Sequence, residues 1–505
     1  EMTTTCRPAS RLMLMLLVLA SCAAPIAAQN NQGMIPVSSA VYEYLDVIAA
    51  EQGDVPNHFE RPASKAQILD TVDRIDYKKL SPAARRLYDE LMRELEADPD
   101  YIEGDGLAVD VEAAMNVETY LQEDPDHVEW KEAEHERLPF LNFPIQAWFF
   151  DSVYTRVEFP LKKVPFVYED KARHLGRWTN VPLTMSQIDY QYPPVAYISA
   201  GGRHWNVQAG RDALSYGSGK SGNFFISDHI PYYNFVRAKT FWDAFTFYYT
   251  VIDLEKWNTG AENIGDEDER NVQRTLMSHG FVFNFIPRLR LSIRESSMLV
   301  DYAPTIQYIN PFYAFHNWYV ETNNKDNPIA ANSILTVDAK LNVARGLNLY
   351  GVLTVDQYQT FFEIYRYNSG STPNAFGYML GSELSVPAGD GYWLANVEWV
   401  YSNPWLYIHE KSNATLIWTG QIESNVDGSF YKHLPIGYPT GPDSLNLFAS
   451  LGYTAPRAYR VKGGYQLKIK GAQNIVDTVW EQSGKAASMI TPTGVVERSH
   501  TAWVE

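Results

Sequence analysis

Through the body of this 505-residue chain, apolar side chains recur at every second position, in runs about as long as a tilted strand needs to cross a bilayer. Leu289, Leu291 and Ile293 alternate with Arg290, Ser292 and Arg294. Leu335, Val337, Ala339, Leu341 and Val343 alternate with Thr336, Asp338, Lys340 and Asn342. Leu347, Leu349, Gly351, Leu353 and Val355 share a face opposite Asn348, Tyr350, Thr354 and Asp356, and Tyr465, Leu467 and Ile469 alternate with Gln466, Lys468 and Lys470. Segments 153–159, 205–209, 245–252, 393–401 and 445–453 read the same way. Successive side chains on a strand point to opposite faces, so each segment has one greasy and one polar side. A soluble sandwich would also alternate, so the period alone does not decide.

Connection lengths add a second signal. Ile286-Pro287-Arg288 is all that separates Phe285 from Leu289, and Ala344-Arg345-Gly346 all that separates Val343 from Leu347. Between those tight turns the chain wanders from Ser296 to about Asn332. Short turns at one end and long loops at the other are the asymmetry of an outer-membrane barrel. In hydrocarbon every backbone N–H and C=O must be paired within the protein, so such a sheet has to close on itself. The expectation is an all-β, antiparallel transmembrane barrel of about 16–18 strands over residues 104–505. The chain's 33 Tyr, 23 Phe and 13 Trp then suit the headgroup layers. Trp148, Tyr248, Tyr249, Trp318, Tyr392, Trp393, Trp399 and Trp405 are the candidates for such girdles.

Ahead of the barrel, Arg7 and Arg11 precede the apolar stretch Leu12–Ala20 and a small-residue run to Ala28, the order of a secretory signal over residues 1–28. Cleavage near Ala28 and lipidation of Cys22 within Leu19-Ala20-Ser21-Cys22 are both compatible with it. Residues 29–103 are expected to form a periplasmic helical unit. Ala40, Tyr44, Leu45 and Ile48 share a helical face, Ser64 with Gln67 makes a capping box, and Ser81-Pro82 opens a third helix. The only cysteines are Cys6 and Cys22, so the remaining chain has neither a disulfide framework nor a thiolate metal site. A net charge of −18 argues against nucleic acid as a partner.

The stretch Gly210-Arg211-Asp212-Ala213-Leu214-Ser215-Tyr216-Gly217-Ser218-Gly219, followed by Gly222-Asn223-Phe224-Phe225-Ile226-Ser227-Asp228, resembles the Wzi-type capsule assembly proteins of Gram-negative outer membranes. So do Arg288–Ser296, Tyr308-Ile309-Asn310-Pro311-Phe312, Asn332 and Leu349-Tyr350-Gly351. The resemblance spans nearly the whole chain after the leader. It implies a barrel of about eighteen strands with a periplasmic helical bundle, placed in the outer membrane and binding extracellular polysaccharide. Lipid, lipopolysaccharide and the barrel assembly machinery would be its other partners. Barrels of this kind usually finish on an aromatic residue, whereas this sequence stops at Ala502-Trp503-Val504-Glu505.

Candidate site residues follow. Arg290 and Arg294 should face the lumen if their aliphatic neighbours face lipid. With Glu295, Arg211 and Asp212 they could form a polar path or sugar contact, or a salt-bridge lattice that fills the barrel. Asp228 closes the family-like stretch. His316, Asn317 and Trp318 sit in an aromatic loop from Tyr313 to Tyr319, and rings with amides are how proteins hold sugars. Gly217-Ser218-Gly219-Lys220-Ser221 superficially resembles a phosphate loop but lacks the leading glycine, since Leu214 stands there. Asp266-Glu267-Asp268-Glu269 reads as a solvated acidic loop. No catalytic constellation, metal site or cofactor motif stands out. The expected function is retention of capsular or another surface polysaccharide; the alternative is a porin-like diffusion channel for small polar solutes.

Overall fold

A computed structural model describes residues 30–505 except 97–101, 105, 120–137, 164–178, 183, 186–187, 191–192, 255–271, 302–309, 311, 316–330, 359–372, 410–411, 426–427, 477 and 479–489. The leader, the acidic run 266–269 and His316-Asn317-Trp318 therefore lie outside the described residues.

The alternating segments form one large antiparallel sheet, in which 17 strands build the wall and two short strands, Ala114–Met115 and Ile188–Tyr190, add to it. In chain order the wall comprises β1 (Ile102–Gly104), β2 (Leu107–Val111), β3 (Leu141–Phe149), β4 (Val153–Lys163), β5 (Ala196–Gly202), β6 (Trp205–Asp212), β7 (Tyr233–Trp242), β8 (Phe245–Leu254) and β9 (Arg274–Ile286). It continues with β10 (Leu289–Val300), β11 (Ala331–Ala344), β12 (Leu347–Gln357), β13 (Ala375–Ala388), β14 (Gly391–Ser402), β15 (Ser444–Ala455), β16 (Tyr459–Lys470) and β17 (Glu497–Val504). Neighbours in sequence are neighbours in the sheet, and β17 meets β1 to complete the circuit.

Register fixes which face is which. Leu335, Leu341 and Val343 are exposed while Thr336, Asp338, Lys340 and Asn342 between them are buried. Leu349 is 45% exposed and Tyr350 beside it 4%. The apolar side of each strand is thus the outer one, as a bilayer requires. Exposed Trp205, Trp242, Phe285, Trp393 and Tyr459 ring the short-turn end, and Tyr358, Tyr378 and Trp399 stand near the other. Between them lie Leu353, Leu380, Val397, Leu447 and Leu451.

Several girdle candidates belong elsewhere. Tyr248 and Tyr392 are buried inside the barrel, and Trp148 packs on inward-facing Tyr154. Trp405 is buried in the segment between β14 and β15. Adjacent Tyr248 and Tyr249 must occupy opposite faces, so ring type alone could not assign them. Tyr248 shares the inward face with buried Thr246 and Thr250, and Gly280 opposite leaves room for its ring, since a Cβ there would meet its hydroxyl at 2.5 Å.

The lumen is occupied. Three helices, α1 (Ala40–Gln52), α2 (Lys65–Val72) and α3 (Pro82–Glu96), start where their caps require. Ser39, Ser64 and Ser81 accept hydrogen bonds from the N–H groups of Val41, Gln67 and Ala84. Gly53, at φ +84°, ends α1 in a left-handed cap. Val41, Leu45, Ile48, Ile68, Leu87, Leu91 and Leu95 form a core that continues onto Tyr392 and Leu394 of the wall. Polar contacts run from this segment to the short turns. Asn30 donates to Phe150 and Val153, Val55 to Pro287, Gly346 to Ala50, and Arg86 and Glu90 pair with Asp390 and Arg457.

Two further segments turn inward from the long-loop end. Residues 213–232 contribute Leu214, Tyr216, Phe224, Phe225, Ile226 and Ile230, and residues 403–443 contribute Leu406, Tyr407, Leu416, Trp418, Ile436 and Tyr438, to one buried cluster inside the wall. Ser215–Tyr216 pairs with Glu60–Arg61, joining the upper insert to the helical segment in a two-residue ladder.

Candidate functional site

The inner wall is polar because its side chains face these inserts, and its charges are matched by theirs. Asp46 on α1 sits where three cations and a histidine converge: Lys220 Nζ at 3.4 Å, Lys340 Nζ at 3.6 Å, Arg61 Nη2 at 3.7 Å and His58 Nε2 at 3.1 Å. Glu383 on β13 takes the other side of both lysines, 3.0 Å from Lys220 and 2.6 Å from Lys340. Burial alone would raise the Asp46 carboxyl, but Lys340, His58 and Lys220 outweigh it and hold the group well below the usual carboxylate range. Burial likewise opposes the Lys220 charge, and Glu383 with Asp46 overcome it, so its pKa rises. For His58 burial dominates over Asp46, and its pKa falls to about 4.

Arg290 and Arg294 face the lumen as their strand alternation predicts, 3% and 1% exposed. They serve the lattice. Arg290 donates to Pro56 O and Ser218 Oγ, Arg294 to Tyr216 O, and both guanidinium groups lie over the Phe59 ring at 4.6 and 4.4 Å. The Gly-Ser-Gly-Lys-Ser stretch has its own role there. Ser218 N–H and Oγ donate to Asp338, while Lys220 and Ser221 N–H donate to Glu398. Its backbone cradles anions, as such loops do, but the anions are carboxylates of β11 and β14.

The remaining sequence candidates are dispersed. Glu295 is on the outer face, opposite Arg294; it lies 3.6 Å from His279 Nε2 and accepts from Phe315 N–H, whose ring stacks on His279 at 4.3 Å. Period two already demanded that separation. Arg211 also faces outward, its Nε donating to Asn234 and its guanidinium 4.0 Å over Tyr232. Its neighbour Asp212 faces in and accepts from Gln208. A single polar path through Arg211, Asp212, Arg290, Arg294 and Glu295 therefore does not form. Asp228 is exposed at the long-loop end. Phe312, 89% exposed at the end of a family-like stretch, and Tyr358 are at that end too, and neither was named as a site residue from the sequence.

Tyr350 and Glu398 were missed as well. Tyr350 donates to Glu398 and receives a hydrogen bond from Asn396. Glycine at 381 leaves room for its ring, since a Cβ there would lie 2.1 Å from Tyr350 Cζ. The signal available was the glycine, but only the register pairs it with Tyr350.

The fold and the filled lumen define a β-barrel of the outer-membrane type with internal plugs. No protein-family model matches the chain and no characterised protein matches it in sequence. Among solved structures it is similar to Wzi of Escherichia coli, described as an outer-membrane protein involved in group 1 capsule assembly and a carbohydrate-binding β-barrel. The two are 10% identical with a TM-score of 0.53, over 86% of this chain and 85% of that one. OmpT of Vibrio cholerae is 10% identical with a TM-score of 0.35, over 80% of this chain and 100% of the other. An anion-selective porin from Comamonas acidovorans is 10% identical with a TM-score of 0.33, over 72% and 88%. At these identities the likeness concerns the fold.

Proposed function

We propose that this protein sits in the bacterial outer membrane and holds an extracellular polysaccharide at the cell surface through its long-loop end. The short turns and helical segment would then face the periplasm. The observation that carries this reading is the occupied lumen. A diffusion channel needs a continuous aqueous path, whereas residues 30–96, 213–232 and the described parts of 403–443 enter this barrel, fastened to its wall through Asp46 on Lys340, Lys220 on Glu383 and Ile417 O on buried Arg274. Such a barrel suits a fixed platform better than a conduit. Similarity to a carbohydrate-binding barrel supports the same reading. Exposed Phe312 and Tyr358 offer flat apolar faces for sugar C–H surfaces, with Asp228 as a hydroxyl acceptor.

The test is co-sedimentation of the protein, reconstituted in liposomes, with capsular polymer purified from its own host. Retention that falls at least about fivefold in the Phe312→Ala, Tyr358→Ala double variant is the expected result, since loss of stacking is worth on the order of 1 kcal/mol per ring. Failure of the unaltered protein to retain any native polymer would overturn the reading.

A further inference from the structure

Beside the Asp46 lattice, a cavity of about 150 Å³ separates α1 from the inner wall of β12 to β16. Lys220 shows that the space is real: enclosed by the barrel and paired with Asp46 and Glu383, it keeps 32% of its side-chain surface accessible. At roughly 10–15 Å³ per water the volume holds on the order of ten to fifteen heavy atoms, one sugar ring rather than a chain of them.

The lining has unused capacity of both kinds. Asn396 is 7% exposed; its amide nitrogen donates to Tyr350 and Ser382, but its buried Oδ1 has no partner. A buried acceptor left empty is costly and fits a ligand that brings a hydroxyl. Lys462 lines the same cavity, and among the described residues its ammonium meets no carboxylate; its contact is the Trp503 ring, 5.5 Å away. An unpaired cation fits a ligand that brings an anion. Phe448, 9% exposed, adds an apolar surface. The lining carboxylates already have cations, Glu383 and Asp46 on Lys220 and Lys340 and Glu43 on Arg460, which leaves Lys462 for an incoming anion. Arg460, 37% exposed and paired with Glu43, marks the short-turn end.

We infer that this cavity binds one sugar acid, with ring hydroxyls on Asn396 and a carboxylate on Lys462. The site is distinct from the long loops and does not depend on their holding a polymer.

Isothermal titration of the full-length protein in detergent with glucuronate, glucose and acetate tests it. Saturable one-to-one binding of glucuronate is expected, with glucose weaker and acetate weaker still. Lys462→Gln should weaken glucuronate at least about tenfold, as loss of a charge-assisted hydrogen bond does, and leave glucose unchanged. Asn396→Ala should weaken both sugars. Half-exposed Lys462 bears no load in the fold, so an unchanged heat-dependent gel mobility is expected for its variant. Absence of saturable glucuronate binding, or binding indifferent to both substitutions, overturns the inference. Polymer retention without glucuronate binding sinks this site alone, and the reverse sinks the surface reading alone.

Discussion

Asp46→Ala removes the carboxylate on which Lys220, Lys340 and Arg61 converge, and which His58 also meets, inside the barrel. The pair that decides the magnitude is Lys340, because its side chain is 3% exposed and 3.6 Å from Asp46. At an effective dielectric near 20 the attraction at that distance is about 4–5 kcal/mol before desolvation. Cutting one side of a buried pair typically costs about 3–5 kcal/mol, since the surviving charge stays buried. Lys340 still keeps Glu383 at 2.6 Å, which places the expected loss near 3 kcal/mol. The readout is the temperature at which the folded, fast-migrating form disappears on a gel, scanned at one heating rate, and it should fall by several degrees. Asp46→Ala combined with Lys340→Met removes the orphaned ammonium and should recover part of the loss, a coupling of at least about 1 kcal/mol. A variant as heat-resistant as the parent, or strictly additive effects in the pair, would refute the claim that this lattice fastens α1 to the wall.

Other outcomes follow from the same structure. His58 has a folded-state pKa of about 4 against an ordinary 6.5, so the unfolded chain takes up this proton first as the solution is acidified. Its contribution is complete above about pH 6.5 and is lost progressively down to pH 4, up to about 3 kcal/mol; His58→Gln should flatten that part of the stability profile, and an unchanged slope would contradict the assignment. Gly381→Val places a side chain where Tyr350 lies, 2.1 Å from its Cζ, and should destabilise by about 1–3 kcal/mol in the same gel assay. Adding Tyr350→Ala should relieve the crowding, and a double variant no better than Gly381→Val would mean that the two residues do not share this space.

Much of the wall was legible because lipid imposes a rule on every residue of a strand. Leu335 to Val343 and Arg290 to Arg294 needed only the period of two and a decision about which side is wet. Caps at Ser64 and Ser81 are likewise local, made within three residues. What failed were assignments that ignored that same period: Glu295 cannot share a face with Arg294, nor Arg211 with Asp212. A filled lumen was legible only as one alternative, a salt-bridge lattice inside the barrel, and the segments and pairs that build it were not. Ser218 finds Asp338 across 120 positions and Lys220 finds Asp46 across 174, and no local pattern announces a partner so distant. Tyr248 is intermediate: its strand was evident and Thr246 and Thr250 share its face, but the glycine that makes room for its ring lies in the next strand.

Single-channel recording of the full-length protein in a planar bilayer bears most directly on the plugged barrel. With the three inserts seated, protein that has demonstrably inserted should pass no steady ohmic current, and Asp46→Ala should add at most brief, flickering openings. Stable porin-like conductance steps from the unaltered chain would mean that water and ions cross where Leu45, Tyr216 and Tyr438 are packed, and a closed platform could no longer be maintained.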